Sequence, residues 1–160
     1  MGEGRRVVQR GLYFDEIDEG ATYLHAPGRT VTEADNVIFT TMTMNTQSLH
    51  LDAAWAEGTE FGGRLVNSMF TLSLLVGLSV AQLTQGTIVA NLGLDEVGFP
   101  APVRVGDTLY AETLIAGKRP SASRPRQGVV TFLHTMRNQH HIIVARARRT
   151  TLLAHSEGPR

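Results

Sequence analysis

The spacing of apolar side chains divides the chain into a mostly helical first half and a second half rich in strands. Residues 65–83 are apolar on nearly every face of a helix, a pattern typical of a helix buried on all sides. The pattern places the start of this helix near Asn67. From Gly86 onward, alternating apolar and polar positions predict antiparallel strands joined by turns. These strands cover residues 87–99, 108–115, 129–136 and 142–153, and a polar loop covers residues 117–125.

Shorter elements are predicted before the long helix. A short strand at residues 23–26 ends at a proline–glycine turn. Residues 30–35 predict the start of a helix, because the Thr32 hydroxyl can cap free backbone donors and the acidic residues suit the positive end of the helix dipole. Residues 45–52 show no clean period and predict a loop, which a short polar helix at residues 53–57 follows.

This order of elements predicts the fold class. A run of helices before a run of strands is typical of an α+β protein. One long apolar helix beside a strongly curved antiparallel sheet suggests that the sheet wraps the helix, which is the hotdog arrangement. The length suits a single domain. We expect this domain to cover residues 11–154, between a disordered segment at residues 1–10 and a flexible tail at residues 155–160.

Composition and charge exclude several classes of function. The chain has 160 residues, with 15 basic and 15 acidic side chains and a formal net charge of zero, so it lacks the general basic surface of a nucleic-acid-binding protein. It contains no cysteine, which excludes disulfides and thiol nucleophiles. No secretory signal is evident, and the longest apolar stretch, residues 69–83, is too short to cross a bilayer. We therefore expect a cytoplasmic protein that binds neither nucleic acid nor membranes.

His50 is the strongest candidate for carrying chemistry. It lies in a predicted loop between helical segments, whereas the other five histidines lie in predicted strands, a turn or the tail. No two histidines have a ligand spacing with a carboxylate, so no metal is predicted. The nucleophile elbow of serine hydrolases and the glycine-rich phosphate loops are absent from the sequence.

Four segments carry motifs of one family. Residues 45–50 (N-T-Q-S-L-H) resemble the motif D-x-N-P-L-H, and residues 64–69 (R-L-V-N-S-M) resemble the stretch before a central helix, commonly I-A-H-G-M. Residues 99–109 resemble F-x-x-P-V-x-x-G-D-T-L, and residues 30–35 match T-V-T-E-A-D at a helix start. Together, in the expected order over residues 12–153, they resemble the MaoC-like dehydratase and (R)-specific enoyl-CoA hydratase family, which has the hotdog fold.

The resemblance implies addition or removal of water across the 2,3 double bond of an enoyl-CoA thioester, with an (R)-3-hydroxyacyl product. In the family, the motif aspartate activates water, the histidine exchanges a proton at the other carbon, and amides at the start of the central helix polarise the thioester carbonyl. The corresponding catalytic positions here are His50 and Asn45, and the oxyanion hole or substrate-binding positions are Val66, Asn67 and Ser68. No cofactor is implied, because coenzyme A enters as part of the substrate.

The chain departs from the family at the position of the general base. Asn45 takes no proton near neutral pH, so it can only position water or a polar substrate group while His50 moves protons alone. Asp35 and Asp52 are alternative carboxylates, although neither lies at the motif position. The pattern N-T-x-x-L-H-x-D with R-L-V-N-S resembles the branch described as mesaconyl-CoA hydratase or β-methylmalyl-CoA dehydratase, and so favours a short branched or dicarboxylic acyl group.

Two alternatives stay open. A catalytically inactive hotdog protein that binds acyl-CoA fits the missing aspartate. A hotdog acyl-CoA thioesterase would need a carboxylate facing the central helix, and residues 69–83 contain none. The resemblance also implies a homodimer, or a larger assembly of dimers, that covers the open edge of the sheet and holds coenzyme A along the subunit interface.

Overall fold

One long helix and one antiparallel sheet form the main layers of the fold. The computed structural model describes residue 4 and residues 6–156. The helices are α1 (Glu33–Met42), α2 (Ser48–Leu51), α3 (Ala53–Glu57) and α4 (Ser68–Leu83), and a 3-10 turn covers Phe14–Glu16. The strands are β1 (Thr22–Leu24), β2 (Arg29–Thr30), β3 (Ile88–Gly98), β4 (Thr108–Pro120), β5 (Gln127–Arg137) and β6 (Ile143–Ala154).

The sheet wraps around α4, as the hotdog prediction requires. Its strand order is β1-β4-β5-β6-β3, all neighbours are antiparallel, and β2 pairs with β4. Every second residue of β5 from Gly128 to Met136 is buried, and α4 contacts β4, β5 and β6. The predicted α+β class and hotdog arrangement are therefore confirmed.

The central helix α4 begins where the sequence predicts but is buried on one side only. Asn67 is its N-cap, and the Asn67 side-chain oxygen accepts a hydrogen bond from the Met69 N–H at 3.0 Å. The prediction of burial on all sides is wrong for the single chain, because the sheet covers one stripe of the helix and leaves Met69, Ser73, Gly77 and Ala81 exposed. Among the residues that the structure describes, no helix is long and apolar enough to cross a membrane.

The helical segment before α4 follows the sequence signals in part. Thr32 caps α1 as predicted, and a capping box pairs the Thr32 and Asp35 side chains with each other's backbone N–H. Helix α3 is also confirmed, with Asp52 as its N-cap. The loop predicted at residues 45–52 is wrong at its centre, where α2 forms one short turn. Four residues are too few to show a helical period, which explains the miss.

The structure also differs from the sequence prediction at the end of β4 and at the start of the C-terminal tail. Strand β4 extends to Pro120, into the predicted polar loop, because its residues 117–120 pair with β5. The Lys118 side chain also donates to the Phe14 and Ile17 carbonyls at 3.1 and 2.6 Å. At the start of the predicted tail, Ser156 bonds both carboxylate oxygens of Asp15. Residues 1–3, 5 and 157–160 lie outside the described residues, so the predicted domain boundaries stay predictions.

The buried apolar side chains form two separate clusters along α4. The cluster near the start of α4 consists of Val31, Val66, Leu75, Val103, Leu109, Ala111, Met136, Val144, Ala145 and Ala147. The cluster near the end of α4 consists of Phe14, Ile17, Leu83, Ile115, Val130, Phe132 and Leu153.

A layer of polar side chains separates these two clusters. Thr113 on β4 and His134 on β5 each lie two residues from a member of either cluster, and Ser79 on α4 lies one turn from Leu75 and from Leu83. All three polar residues are fully buried. Burial of such groups is costly unless they are hydrogen-bonded, so the bonds within this layer matter for stability.

The polar layer contains a chain of hydrogen bonds in which each donor and acceptor can be assigned. His25 Nδ1 donates to the Gln82 side-chain oxygen at 2.8 Å, which leaves His25 Nε2 as an acceptor for the Thr113 hydroxyl at 2.7 Å. The Thr113 oxygen then accepts from His134 Nδ1, also at 2.7 Å. This order requires that His25 is neutral, because its Nε2 accepts a hydrogen bond.

Burial favours the neutral form of both rings. Desolvation lowers the pKa of His134 to about 3, and the positive charge of Arg149, with that of His25 whenever His25 is protonated, acts in the same direction. Desolvation also lowers the pKa of His25. Protonation of either ring would therefore oppose folding.

Acidification should destabilise the protein through His134. An unfolded histidine has a pKa of about 6.5, so the unfolded chain binds this proton first as the pH falls, and the stability that is fully present above pH 6.5 decreases toward pH 3. We expect the free energy of unfolding to fall by about 2 kcal/mol between pH 6.5 and 4.5 from this residue, measured by urea denaturation. His134→Asn, which keeps a donor for Thr113, should flatten the dependence. The control His140→Asn, at an exposed position, should leave the pH dependence of the free energy of unfolding unchanged. An unchanged pH dependence in His134→Asn would contradict the assignment of this effect to His134.

Candidate active site

A cavity of about 350 Å³ opens beside the first turn of α4. The hydratase-like segment, the start of α4 and the segment after β3 form its walls. Most of the wall is apolar, and His50, Ser68 and Thr71 contribute the polar side chains. The lining residues are Leu49, His50, Phe61, Leu65, Val66, Ser68, Thr71, Phe99, Pro100, Ala101, Pro102, Val103 and Val144.

The His50 ring is fixed in one tautomer. Its Nδ1 lies 2.9 Å from the Leu65 carbonyl oxygen, which can only accept, so Nδ1 carries the proton when the ring is neutral. The Leu65 N–H in turn donates to the Leu49 carbonyl at 3.1 Å, which joins the two segments through their backbones. His50 Nε2 is consequently the ring nitrogen with a free lone pair, and it can accept or return a proton.

Only one of the three backbone amides predicted for the oxyanion hole is available. The Val66 N–H donates to the Val103 carbonyl at 2.9 Å, and the Asn67 N–H donates to the Asn36 side-chain oxygen at 2.9 Å. Among the described residues, the Ser68 N–H has no hydrogen-bond partner. Because Ser68 lines the cavity and is the first residue of α4, its amide combines a free donor with the positive end of the helix dipole.

Asn45 and the Asn67 side chain take structural hydrogen bonds. The Asn45 side-chain oxygen accepts from the Gln47 N–H at 3.1 Å, and Asn45 does not line the cavity. The Asn67 side chain is 2% exposed; besides capping α4, it donates to the Thr40 hydroxyl at 3.3 Å. The structure thus brings His50, Val66 and Ser68 to one cavity, with Asn67 behind its wall and Asn45 outside it.

Among the described residues that line this cavity, no carboxylate takes the place of the family's aspartate. Asp35 is held by the capping box of α1 and by Arg29 at 2.6 Å, and Asp52 accepts from the Trp55 N–H. Of the described residues in the cavity wall, His50 is the one with an imidazole, carboxyl or amino side chain. The described residues also contain no group of three or more histidine or acidic side chains that could hold a metal ion.

Sequence reasoning missed two polar residues behind the site. Asn36 and Thr40 are the buried residues of α1, whereas the apolar Ile38 on the same helix is 61% exposed. The polar pair lies one helical turn apart and faces the start of α4. An amide and a hydroxyl four residues apart, in the segment that follows the predicted helix start, were the available signal.

The fold and the cavity define a hotdog domain with a single histidine and a helix N-terminus on one apolar wall. The family model described as MaoC like domain matches residues 16–138. The chain therefore belongs to the family of MaoC-like domains, as the sequence motifs predict.

Named relatives and a solved structure agree with this membership. The (R)-specific enoyl-CoA hydratase of Rhodospirillum rubrum is 31% identical over 109 residues, which cover 68% of this chain and 72% of that protein. Mesaconyl-CoA hydratase of Haloarcula marismortui is 28% identical over 124 residues, 78% of this chain but only 34% of the relative, so the chain spans about a third of that protein. The X-ray structure of a monoamine oxidase regulatory protein from Archaeoglobus fulgius superposes with a TM-score of 0.82 at 29% identity, and the match covers 94% of this chain and 99% of that one.

Proposed function

We propose that this domain adds water to, or removes it from, the 2,3 double bond of an enoyl-CoA thioester. The observation that carries the proposal is that His50, with its Nδ1 proton held by Leu65, lines the same cavity as the free Ser68 amide. A proton-transfer group and an oxyanion donor are the two parts that this reaction needs. Family membership and the hydratases among the relatives support the same activity.

In the hydration direction, His50 acts first as a base and then as an acid. Its Nε2 takes a proton from water as the water oxygen bonds to C3, and the π electrons shift toward the thioester oxygen. The resulting imidazolium then returns a proton to C2, so the ring ends neutral and water has been added. The Nδ1 bond to the Leu65 carbonyl holds the ring throughout and stabilises its charged form.

The Ser68 amide stabilises the enolate in this scheme. Negative charge develops on the thioester oxygen as C3 is attacked, and a preorganised N–H at a helix N-terminus lowers the energy of that state more than that of the neutral thioester. The apolar wall strengthens the interaction because it excludes water. Val66 and Asn67 contribute by fixing the position of the turn, and no cofactor beyond the substrate's own coenzyme A is required.

We further propose a short branched or dicarboxylic acyl group, such as mesaconyl, as the substrate. The matching mesaconyl-CoA hydratase supports this choice. Within the cavity, the Ser68 hydroxyl makes no hydrogen bond to any described residue and can serve a polar acyl end. Asn45 does not line the cavity, so its proposed role, to position water or that polar end through its amide nitrogen, requires a substrate that extends beyond the cavity wall.

A catalytically inactive acyl-CoA-binding protein is the second candidate. The observation that favours it is the lack of a carboxylate among the described residues of the cavity wall. Without a carboxylate, a hydratase must use one histidine for both proton transfers. A protein that only binds thioesters needs no proton transfer. The two candidates differ in whether His50 is required for turnover.

A second copy of the chain is the proposed partner. β3 lies at the edge of the sheet, and its exposed side chains include Val89, Leu92, Leu94 and Val97. A long apolar edge strand favours pairing with another strand. Pairing of two β3 strands would continue the sheet across a symmetric homodimer.

Turnover should depend on His50. We expect the protein to consume mesaconyl-CoA faster than crotonyl-CoA, followed as the loss of enoyl-thioester absorbance. His50→Asn keeps a donor for the Leu65 carbonyl but removes Nε2, and should lower kcat by about 10²- to 10⁴-fold. His140→Asn, in the exposed turn after β5, should leave kcat unchanged. Thioester binding without turnover would indicate the inactive binding protein, and release of free thiol would indicate a thioesterase.

Restoring the family's carboxylate should change the rate. If Asn45 occupies the position of the motif aspartate, Asn45→Asp supplies a general base, and hydration of crotonyl-CoA should rise by at least about tenfold. Asn45→Ala is the matched control, because it removes the amide without adding a carboxylate. Equal rates for the two variants would exclude Asn45 from the site.

Charge on the β3 edge should disrupt the dimer. We expect a mass near twice the 17.4 kDa chain by light scattering, and expect Leu92→Lys to shift it to the monomer at micromolar concentration. Leu24→Lys places the same charge on β1, at the opposite end of the sheet, and should leave the dimer intact. A monomeric wild type, or dissociation by Leu24→Lys alone, would contradict the β3 interface.

A further inference from the structure

A buried amide on α1 joins the two segments that form the candidate site. Asn36 is 1% exposed. Its Nδ2 donates to the His50 carbonyl at 3.1 Å and to the Leu65 carbonyl at 3.3 Å, and its Oδ1 accepts from the Asn67 N–H at 2.9 Å. All three partners are backbone groups, so Asn36 acts on the course of the chain at the site.

The two donor bonds of Asn36 bear directly on the His50 ring. The Leu65 carbonyl accepts from both Asn36 Nδ2 and His50 Nδ1, so the acceptor that fixes the ring tautomer is itself held by Asn36. The second donor bond holds the His50 backbone. His50 is therefore restrained by Asn36 at its own carbonyl and, through Leu65, at its ring.

The acceptor bond of Asn36 fixes the first turn of α4. By taking the Asn67 N–H, Asn36 removes that amide from the cavity and leaves the adjacent Ser68 N–H as the available donor. Thr40, one turn later on α1, reinforces the contact by accepting from the Asn67 side chain at 3.3 Å. The capping box at Thr32 and Asp35 sets the start of α1, and so positions Asn36.

We propose that Asn36 is a positioning residue that holds His50 Nε2 and the Ser68 amide at the relative position that the proposed reaction needs. The inference rests on the proposed function, and it assigns to a residue outside the cavity wall the alignment of the two groups within it. A misplacement of about 1 Å between reacting groups costs on the order of 10²-fold in rate, so the effect of losing these bonds is measurable.

Two substitutions separate the donor and acceptor bonds. Asn36→Asp keeps an oxygen for the Asn67 N–H but removes both donors to His50 and Leu65, whereas Asn36→Leu removes all three bonds at similar volume. Thr113→Val is the matched control: it breaks the buried His25 and His134 bonds in the polar layer and destabilises the fold away from the cavity. Thermal unfolding first establishes how much stability each variant loses.

Steady-state kinetics with mesaconyl-CoA test the positioning role. We expect Asn36→Asp to lower kcat by about 10- to 100-fold with a much smaller change in KM, and Thr113→Val to alter kcat by less than about twofold. In a His50→Asn background, Asn36→Asp should cost little more, because the group that it positions is gone. A kcat loss that Thr113→Val reproduces, or full additivity with His50→Asn, would overturn the proposal.

A spectroscopic measurement keeps the inference separate from the proposed function. In protein labelled with ¹⁵N at histidine, the wild-type His50 ring should carry its neutral-state proton on Nδ1. Asn36→Asp should shift the ring toward a mixture of tautomers, whatever the substrate. If no enoyl-CoA is turned over but the tautomer shifts, the function fails and the positioning role stands. An unchanged His50 tautomer in both Asn36 variants would overturn the positioning role.

Discussion

The Leu65 carbonyl oxygen is the acceptor on which the geometry of the candidate site depends. It accepts one hydrogen bond from the His50 ring and one from the buried Asn36 amide, and its own residue is bonded to Leu49 through the backbone N–H. Two lone pairs on a carbonyl permit two such bonds and no more, so both are committed. The constraint leaves one ring nitrogen and one helix amide for chemistry.

The polar layer imposes a second constraint on the same helix. A sheet wrapped around an apolar helix could slide along it, because apolar contacts have little directional preference. The chain His25–Thr113–His134 is tied to α4 through Gln82, and breaking it would leave buried groups unpaired, at a cost of about 1–3 kcal/mol each. We infer that the layer holds the second half of α4, around Gln82, against the sheet, whereas the bonds of Asn36 and Thr40 to Asn67 hold its first turn.

Local sequence signals predicted much of this structure. Neighbouring residues determine the Thr32 cap, the start of α4 at Asn67 and the four long strands, so the sequence pattern predicts these features. The buried roles of Asn36 and His134 depend on partners far along the chain, such as the Asn67 amide 31 residues after Asn36. Sequence alone also could not show which of the amides at Val66, Asn67 and Ser68 stays free, because distant acceptors decide it.

The asparagine at position 45 changes the demands on the remaining groups. In the family, the aspartate activates water and the histidine exchanges the proton at the other carbon, so the histidine acts only once. In the proposed reaction, the His50 ring accepts and returns the proton, so its orientation must suit C3 and C2 alike. A ring free to rotate would align Nε2 for proton transfer at one of these carbons and lose its alignment at the other. The double restraint on His50, at its carbonyl and at Nδ1, is therefore consistent with catalysis by a lone histidine.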